Sequence, residues 1–144
     1  MTVLPHVIVG ALVGSYTNNV PLAIVGGVVS HFVLDSIPHY DHPIGTNHLK
    51  SIAAGFWWGS NILALGVLWF FYSAGLTIFV GALSAGLVDL ENLLHMASGH
   101  GVSIHRSGRW HRKTSPIRGF ILEGAVVLIG SVWLYLRLTT PMVV

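Results

Sequence analysis

Apolar stretches alternate with short polar segments along the whole chain. The first apolar stretch covers about residues 3–15. At about 1.5 Å per residue it is too short to cross a membrane core of about 30 Å by itself. After a polar turn at 16–19, Pro21 suits the first turn of a second helix, which Pro38 ends. These positions predict two short, closely connected apolar helices at the start of the chain.

Three longer apolar stretches follow. Residues 49–73 and 76–97 are each long enough to span a membrane, and the last stretch opens at Pro116 and ends near Arg137. A polar segment at 39–47 and a basic loop at 98–115 separate them. The pattern predicts an all-α fold, a polytopic integral membrane bundle of four or five hydrophobic helices, with residues 1–144 forming a single membrane domain.

Composition strengthens this interpretation and excludes several function classes. Apolar residues make up 53% of the chain and charged residues 8%, where soluble proteins carry about 25% charged residues. The chain has no cysteine, which excludes thiolate metal ligands and cysteine nucleophiles. A formal charge of +2 is too small to indicate a nucleic-acid partner, so we expect membrane lipids and no nucleic acid.

The predicted topology sorts the polar residues by side. If the apolar stretches alternate in direction, all nine histidines and all five acidic residues lie at or near one membrane face. The same face receives every Lys and Arg except Arg137. By the positive-inside rule this histidine-rich face is cytoplasmic, which predicts an inner, cytoplasmic membrane protein.

The sharpest local pattern joins the second helix to the segment after it. His31 and Asp35 are four residues apart, so their side chains share one helix face and can converge on one ion. Ionisable groups at membrane depth are costly unless they are paired, bind a metal or line a cavity. The alternative is a hydrogen bond between the two at a helix interface. His39 and Asp41 follow Pro38, where ordinary solvated residues are equally expected.

A second group lies near the end of the fourth apolar stretch. Asp89 is about fourteen residues into that stretch, so we expect it to lie deep and to act as a ligand. Glu91 and His95 share a different helix face, so both faces cannot serve one ion. Either of these two can instead be an interfacial polar residue or a partner of a ligand.

The basic loop offers a place for a metal and a phosphate together. His105 and His111 alternate there with Arg106, Arg109 and Arg112, whose guanidinium groups suit phosphate oxygens. The alternative is a solvated loop that contacts anionic head groups. Two further residues can reach the same zone. They are His6, which opens the first apolar stretch, and Glu123, one to two turns into the last helix.

Part of this pattern resembles a known family. Pro5-His6 with Gly10 and Gly14, followed by His31-xxx-Asp35-xx-Pro38-His39-x-Asp41, resembles the YdjM-like group of membrane-bound metal-dependent hydrolases. The His-xxx-Asp spacing is also similar to that of the zinc-dependent phospholipase C and S1/P1 nuclease superfamily. The resemblance implies metal-ligand roles for His31 and Asp35, and also for His6, His39 and Asp89.

The leading hypothesis is therefore a membrane-embedded divalent-metal hydrolase, with zinc as the first choice of metal and manganese or iron as alternatives. Its substrate would be a phospholipid or another phosphoester that reaches the site from the bilayer. The candidate metal ligands are His6, His31, Asp35, His39, Asp89, His95, His105 and His111. The candidates for proton transfer are Asp41, Glu91 and Glu123, and those for substrate binding are Arg106, Arg109 and Arg112.

Two alternatives come from other function classes. A non-catalytic membrane subunit or scaffold would use the same ion to hold helices together and would bind a partner subunit or a second copy of the chain. A haem-binding or ion-translocating protein is the third alternative. Haem ligation has no need for the interleaved carboxylates, and translocation would need ionisable residues across the full membrane depth.

Overall fold

The structure, a computed structural model, describes residues 1–40, 52–90, 112 and 114–140. These residues form five helices, which are α1 (Val3–Gly14), α2 (Val20–Asp35), α3 (Ile52–Ala74), α4 (Leu76–Leu87) and α5 (Pro116–Thr139). Over these stretches there is no β-strand. Two backbone hydrogen bonds at His39, to the carbonyl of Arg112 and from the amide of Thr114, are each 3.0 Å long. The predicted all-α fold is confirmed for this part of the chain.

The helix starts follow from local capping chemistry. Asn19 caps α2, because its side-chain oxygen accepts a hydrogen bond of 3.0 Å from the amide of Leu22. Pro21 and Pro116 occupy the first turns of α2 and α5, where an amide donor is not required. Asn19, Pro21 and Pro116 therefore mark where α2 and α5 begin.

Helix α4 covers the first part of the predicted span at 76–97. Helix α4 ends at Leu87, with Val88 as its C-cap, and the amide of Asp89 donates to the carbonyl of Gly86 over 3.2 Å. A turn of this i to i−3 type tightens the helix end. Asp89 therefore lies in a turn just past the end of α4 rather than within a continuous helix. Residues 91–97 lie outside the described part.

Helices α1, α2 and α4 pack through small residues. A methyl group added to Gly10 or to Gly27 would collide with the backbone carbonyl of Gly81, and one added to Gly10 would also meet Ala85. Backbones can approach this closely only where side chains are absent or minimal, as at helix interfaces in membranes. Val7 and Ala82 are fully buried in the core that forms there.

Contacts at both ends of α1 define how the bundle is arranged. At one end, the amide and hydroxyl of Thr2 donate to the carboxyl group of Glu123 on α5. At the other, the indole of Trp133 donates to the hydroxyl of Tyr16 over 2.9 Å. Helices α1 and α5 therefore run parallel. The start of α1, the end of α2, the end of α4 and the start of α5 share what we call the polar end of the bundle.

The outer surface of the bundle is strongly apolar. Among the described helices, α5 is the one long and apolar enough to cross a membrane, and 22% of its most apolar stretch is buried. Large apolar side chains face outward on α3 and α5, among them Trp69 at 79% exposure and Ile117 at 74%. Isolated exposed apolar residues are ordinary, but whole helix faces of them indicate contact with lipid or protein.

Candidate metal site

Three imidazoles surround the carboxylate of Asp35 at the polar end. The Nε2 atom of His31 lies 3.2 Å from Oδ2, and the Nε2 atoms of His6 and His39 lie 3.4 and 3.9 Å from Oδ1. All three histidines are fully buried, and Asp35 is 2% exposed. A carboxylate removed from water needs compensating charge or metal bonds to be stable, and the N-terminal ammonium of Met1, 3.7 Å from Oδ1 of Asp35, supplies part of that charge.

Different elements bring these side chains together. His31 and Asp35 are one turn apart on α2, and Pro38 ends the segment after that helix so that His39 returns towards it. The two backbone hydrogen bonds of His39 to residues 112 and 114 hold it in place. His6 comes from α1, the central helix of the bundle. Distant parts of the sequence therefore meet at one carboxylate.

Hydrogen bonds on the far side of two rings fix their tautomers. Nδ1 of His31 lies 2.9 Å from the carbonyl oxygen of Ala85, and Nδ1 of His39 lies 2.8 Å from that of Ile37. A carbonyl oxygen only accepts, so Nδ1 carries the hydrogen in each ring. In a neutral ring the lone pair is then on Nε2, which faces Asp35. Ligating histidines are held in this way, with the other ring nitrogen donating to a carbonyl or carboxylate.

The same contacts make a metal-free neutral cluster unfavourable. A lone pair on Nε2 of His31 would face a carboxylate oxygen 3.2 Å away, and two acceptors at that distance repel each other. A cation bound between the two groups would relieve that repulsion. Around a tetrahedral ion with bonds of about 2.0–2.1 Å, neighbouring ligand atoms are about 3.3 Å apart. The observed separations from Asp35 to His31 and His6 are close to that value.

The surroundings of His6 suit a metal ligand. Its ring stacks on His31, with centroids 3.9 Å apart and planes inclined by 23°. Neither of its ring nitrogens makes a well-aligned hydrogen bond within the described part of the chain. A buried polar atom left in this state costs about 1–3 kcal/mol. A bond from Nε2 to an ion would satisfy that one nitrogen.

Asp89 completes a three-residue group that can hold a metal ion. His6, His31 and Asp89 each offer one atom, all within 4.8 Å of one another, and all three residues are buried. Nε2 of His6 lies 3.9 Å from Oδ2 of Asp89. Because Asp89 lies in the turn after α4, the end of that helix is what directs its carboxylate towards α1.

The structure thus brings together all the predicted ligands that it describes, namely His6, His31, Asp35, His39 and Asp89. The other three predicted ligands, His95, His105 and His111, lie outside the described residues. So do the proton-transfer candidates Asp41 and Glu91 and the substrate-binding candidates Arg106 and Arg109. Of the two remaining candidates, Arg112 has an exposed side chain, and Glu123 is buried.

Glu123 belongs to a neighbouring polar network. Its Oε2 atom accepts from the amide of Thr2 over 3.1 Å and from its hydroxyl over 2.8 Å, and Ser60 on α3 donates to that hydroxyl over 2.8 Å. We did not predict Thr2, Ser60 or the nearby Asn61 as site residues. The adjacent polar pair at 60 and 61, inside an otherwise apolar stretch, is the signal that could have found them.

No protein-family model, curated protein or solved structure matches this chain. The resemblance to the YdjM-like group therefore stays a prediction.

Proposed function

We propose that this protein is a polytopic membrane protein that binds a divalent metal between α1, α2 and the end of α4, and that it hydrolyses a lipid phosphoester there. The observation that carries the proposal is the orientation of His31. Its Nδ1 is committed to the carbonyl of Ala85, while its Nε2 faces Asp35 at 3.2 Å. That arrangement suits a ligand to a cation.

The apolar exterior supports the membrane part of the proposal. Helix α3 has 23 residues and α5 has 24, and at about 1.5 Å per residue each is long enough for a core of about 30 Å. The shorter α1, α2 and α4 pack together through glycine and alanine, as helices in membranes do. We place the polar end at the cytoplasmic face of the inner membrane, where the basic residues would lie.

The donor set supports a borderline metal. Imidazole nitrogens with carboxylate oxygens suit zinc, with manganese and iron as alternatives, and no thiolate is available to favour a softer ion. A bound zinc ion would lower the pKa of a coordinated water to about 7 and so supply a nucleophile.

The surrounding residues have roles that fit hydrolysis. Asp35 and Asp89 would bring negative charge to the ion, and the carbonyls of Ala85 and Ile37 would hold two imidazoles in place. Glu123 is a candidate for accepting a proton, because its Oε1 is buried and has no hydrogen-bond partner within the described stretches. Arg112, whose carbonyl is bonded to His39 and whose side chain is exposed, is a candidate for contacting a phosphate.

One observation favours a second candidate function. His6, His31 and His39 are all fully buried, which suits a closed structural metal that holds α1, α2 and α4 together in a non-catalytic subunit. A structural site would keep no coordination position for exchangeable water, whereas a hydrolytic site requires one.

Hydrolysis by the metal-loaded protein tests the catalytic proposal. Purified protein in detergent would be assayed against phospholipids and soluble phosphoesters, beside His31→Ala, Asp35→Ala and, as a control, His100→Ala, a histidine outside our ligand set. We expect turnover that the first two variants lose and the control keeps. Stoichiometric metal with no turnover of any phosphoester would reject the hydrolase and favour the structural subunit.

A further inference from the structure

A short segment after α2 crosses the polar end of the bundle towards α5. We call this segment, residues 36–40, the strap. It begins where α2 ends and carries His39, whose Nε2 atom lies 3.9 Å from Oδ1 of Asp35. His39 is 0% exposed, as are the other two imidazoles of the cluster. A metal ion, a water molecule or a substrate can therefore reach these ligands only when part of the enclosure opens.

The described contacts attach the strap to α5 and to the segment that leads into that helix. The amide of His39 donates to the carbonyl of Arg112, and its carbonyl accepts from the amide of Thr114, each over 3.0 Å. Tyr40 packs into a notch at Gly119 on α5, where an added methyl group would collide with the backbone of Tyr40. Contacts of this kind can break locally while the rest of the protein stays folded.

The helices around the cluster cannot open in the same way. Gly10 on α1 and Gly27 on α2 both approach the backbone carbonyl of Gly81 on α4 so closely that a methyl group would collide there. Separating these helices would expose the core that Val7 and Ala82 help to fill. Opening of the strap disturbs none of this packing, so the strap is the part of the described enclosure that opens at the lowest cost.

His39 is also the ligand that the cluster can release most easily. Its orienting hydrogen bond runs from Nδ1 to the carbonyl of Ile37, 2.8 Å away within the strap itself, so the ring and the strap move together. The orienting bond of His31 is instead made to α4. The three-residue group that Asp89 completes lies outside the strap, and its ligand atoms are within 4.8 Å of one another. A metal held by that group stays bound when His39 leaves.

We propose that the strap is a gate and that His39 is a displaceable metal ligand. When the strap opens, the bond between Nε2 of His39 and the ion breaks, and an oxygen of water or of a phosphoester takes that coordination position. Closure returns the imidazole and excludes water. The ligand role rests on the proposed metal site. It gives a fully buried site the exchangeable position that hydrolysis requires.

The rate of metal release tests the gate. Purified protein in detergent would be loaded with zinc and mixed with an excess of a chromogenic chelator that reports released metal. Gly119→Ala displaces Tyr40 from its notch, and Gly124→Ala is the matched control, because a methyl group there meets no described residue within 4 Å. We expect release about tenfold faster in Gly119→Ala and unchanged in the control. Equal rates in the two variants would overturn the gate.

A second variant separates opening of the strap from damage to α5. Tyr40→Ala removes the same contact without adding an atom to the helix, and Tyr135→Ala, at an exposed position on α5, is its control. Both proteins would be compared at a temperature where each is folded. We expect faster zinc release in Tyr40→Ala, and release no faster than in Tyr135→Ala would contradict the gate.

Metal content distinguishes a displaceable ligand from an essential one. We expect His39→Ala to keep stoichiometric metal and His31→Ala to lose it, because the group around His31 binds without the strap. In the cobalt(II) form, His39→Ala should have an altered visible absorption spectrum, since water replaces the imidazole. Loss of metal as complete as in His31→Ala, or a spectrum identical to that of the wild type, would overturn the role of His39.

Chemical modification of the imidazoles tests the gate without any metal. Diethyl pyrocarbonate would be added to folded protein in chelator, and the modified histidines would be mapped by mass spectrometry. His6 and His31 are buried, so we expect faster modification of both in Gly119→Ala than in Gly124→Ala. Equal modification would overturn the gate whether or not metal binds. Wild-type protein without bound metal would reject the proposed function and the ligand role of His39, and this measurement would then decide the gate alone.

Discussion

Asp35 and His31 lie one turn apart on α2, with 3.2 Å between Oδ2 of the carboxylate and Nε2 of the ring. The opposite ring nitrogen, Nδ1, donates to the carbonyl of Ala85 on α4. Helix α4 therefore selects the tautomer in which His31 presents a lone pair to the cluster. The packing of α4 against α2 therefore determines which ring nitrogen of His31 can bind an ion.

The first prediction concerns metal-dependent stability. We expect zinc to raise the thermal unfolding temperature of the wild-type protein in detergent, because a ligand that binds only the folded state at 100 times its Kd stabilises it by about 2.7 kcal/mol. His6→Leu should abolish this zinc response. In chelator the variant should be at least as stable as the wild type, because it replaces a buried imidazole that makes no well-aligned hydrogen bond to the described residues with an apolar side chain.

Differential scanning fluorimetry with and without zinc measures both effects. A zinc response of wild-type size in His6→Leu would show that His6 is not a ligand. A large loss of stability in chelator would show that the ring has a structural partner outside the described residues.

The second prediction concerns the close approach of α1 and α4. Gly81→Ala should destabilise the protein by about 1–3 kcal/mol, because the added methyl group would collide with the carbonyl of Gly10 and press on Gly14. Gly124→Ala is the matched control, since a methyl group there meets no described residue within 4 Å, and it should be neutral or stabilising by up to about 1 kcal/mol. Chemical denaturation in micelles compares them. Equal effects would contradict the packing.

The third prediction concerns orientation in the membrane. The chain has no cysteine, so single cysteines can be introduced without background. Asn18→Cys lies in the turn opposite the polar end, and Ser115→Cys lies at the polar end, both at exposed positions. In intact cells a membrane-impermeant maleimide should label Asn18→Cys and leave Ser115→Cys unlabelled until the cells are opened. The reverse pattern would place the polar end outside the cytoplasm.

The helices and the main cluster could be predicted from local patterns. Prolines at 21, 38 and 116 mark helix boundaries whatever the rest of the fold does, because they lack an amide donor. The four-residue spacing of His31 and Asp35 places them on one helix face in any helical fold. Alternating apolar stretches were enough to bring His6 and Asp89 towards the same end.

Other features depend on contacts that no local pattern contains. Val88 and Leu90 are apolar on either side of Asp89, so nothing in the periodicity marks the end of α4 at Leu87, and the sequence did not predict the turn that holds Asp89. The bond from His31 to Ala85 joins positions 54 residues apart and uses a backbone carbonyl, which the sequence cannot distinguish from any other. The hydrogen bond from Thr2 to Glu123 likewise joins positions that are 121 residues apart, so no local pattern predicts it.

The measurement that tests the central claim most directly is elemental analysis of the detergent-purified protein, prepared without chelator, beside Asp35→Asn. This substitution keeps the shape of the side chain and removes the charge that three imidazoles face, so we expect stoichiometric zinc, manganese or iron in the wild type and at least a tenfold loss of metal affinity in the variant. Wild-type protein without bound metal, or a folded Asp35→Asn protein with its metal content unchanged, would contradict the account.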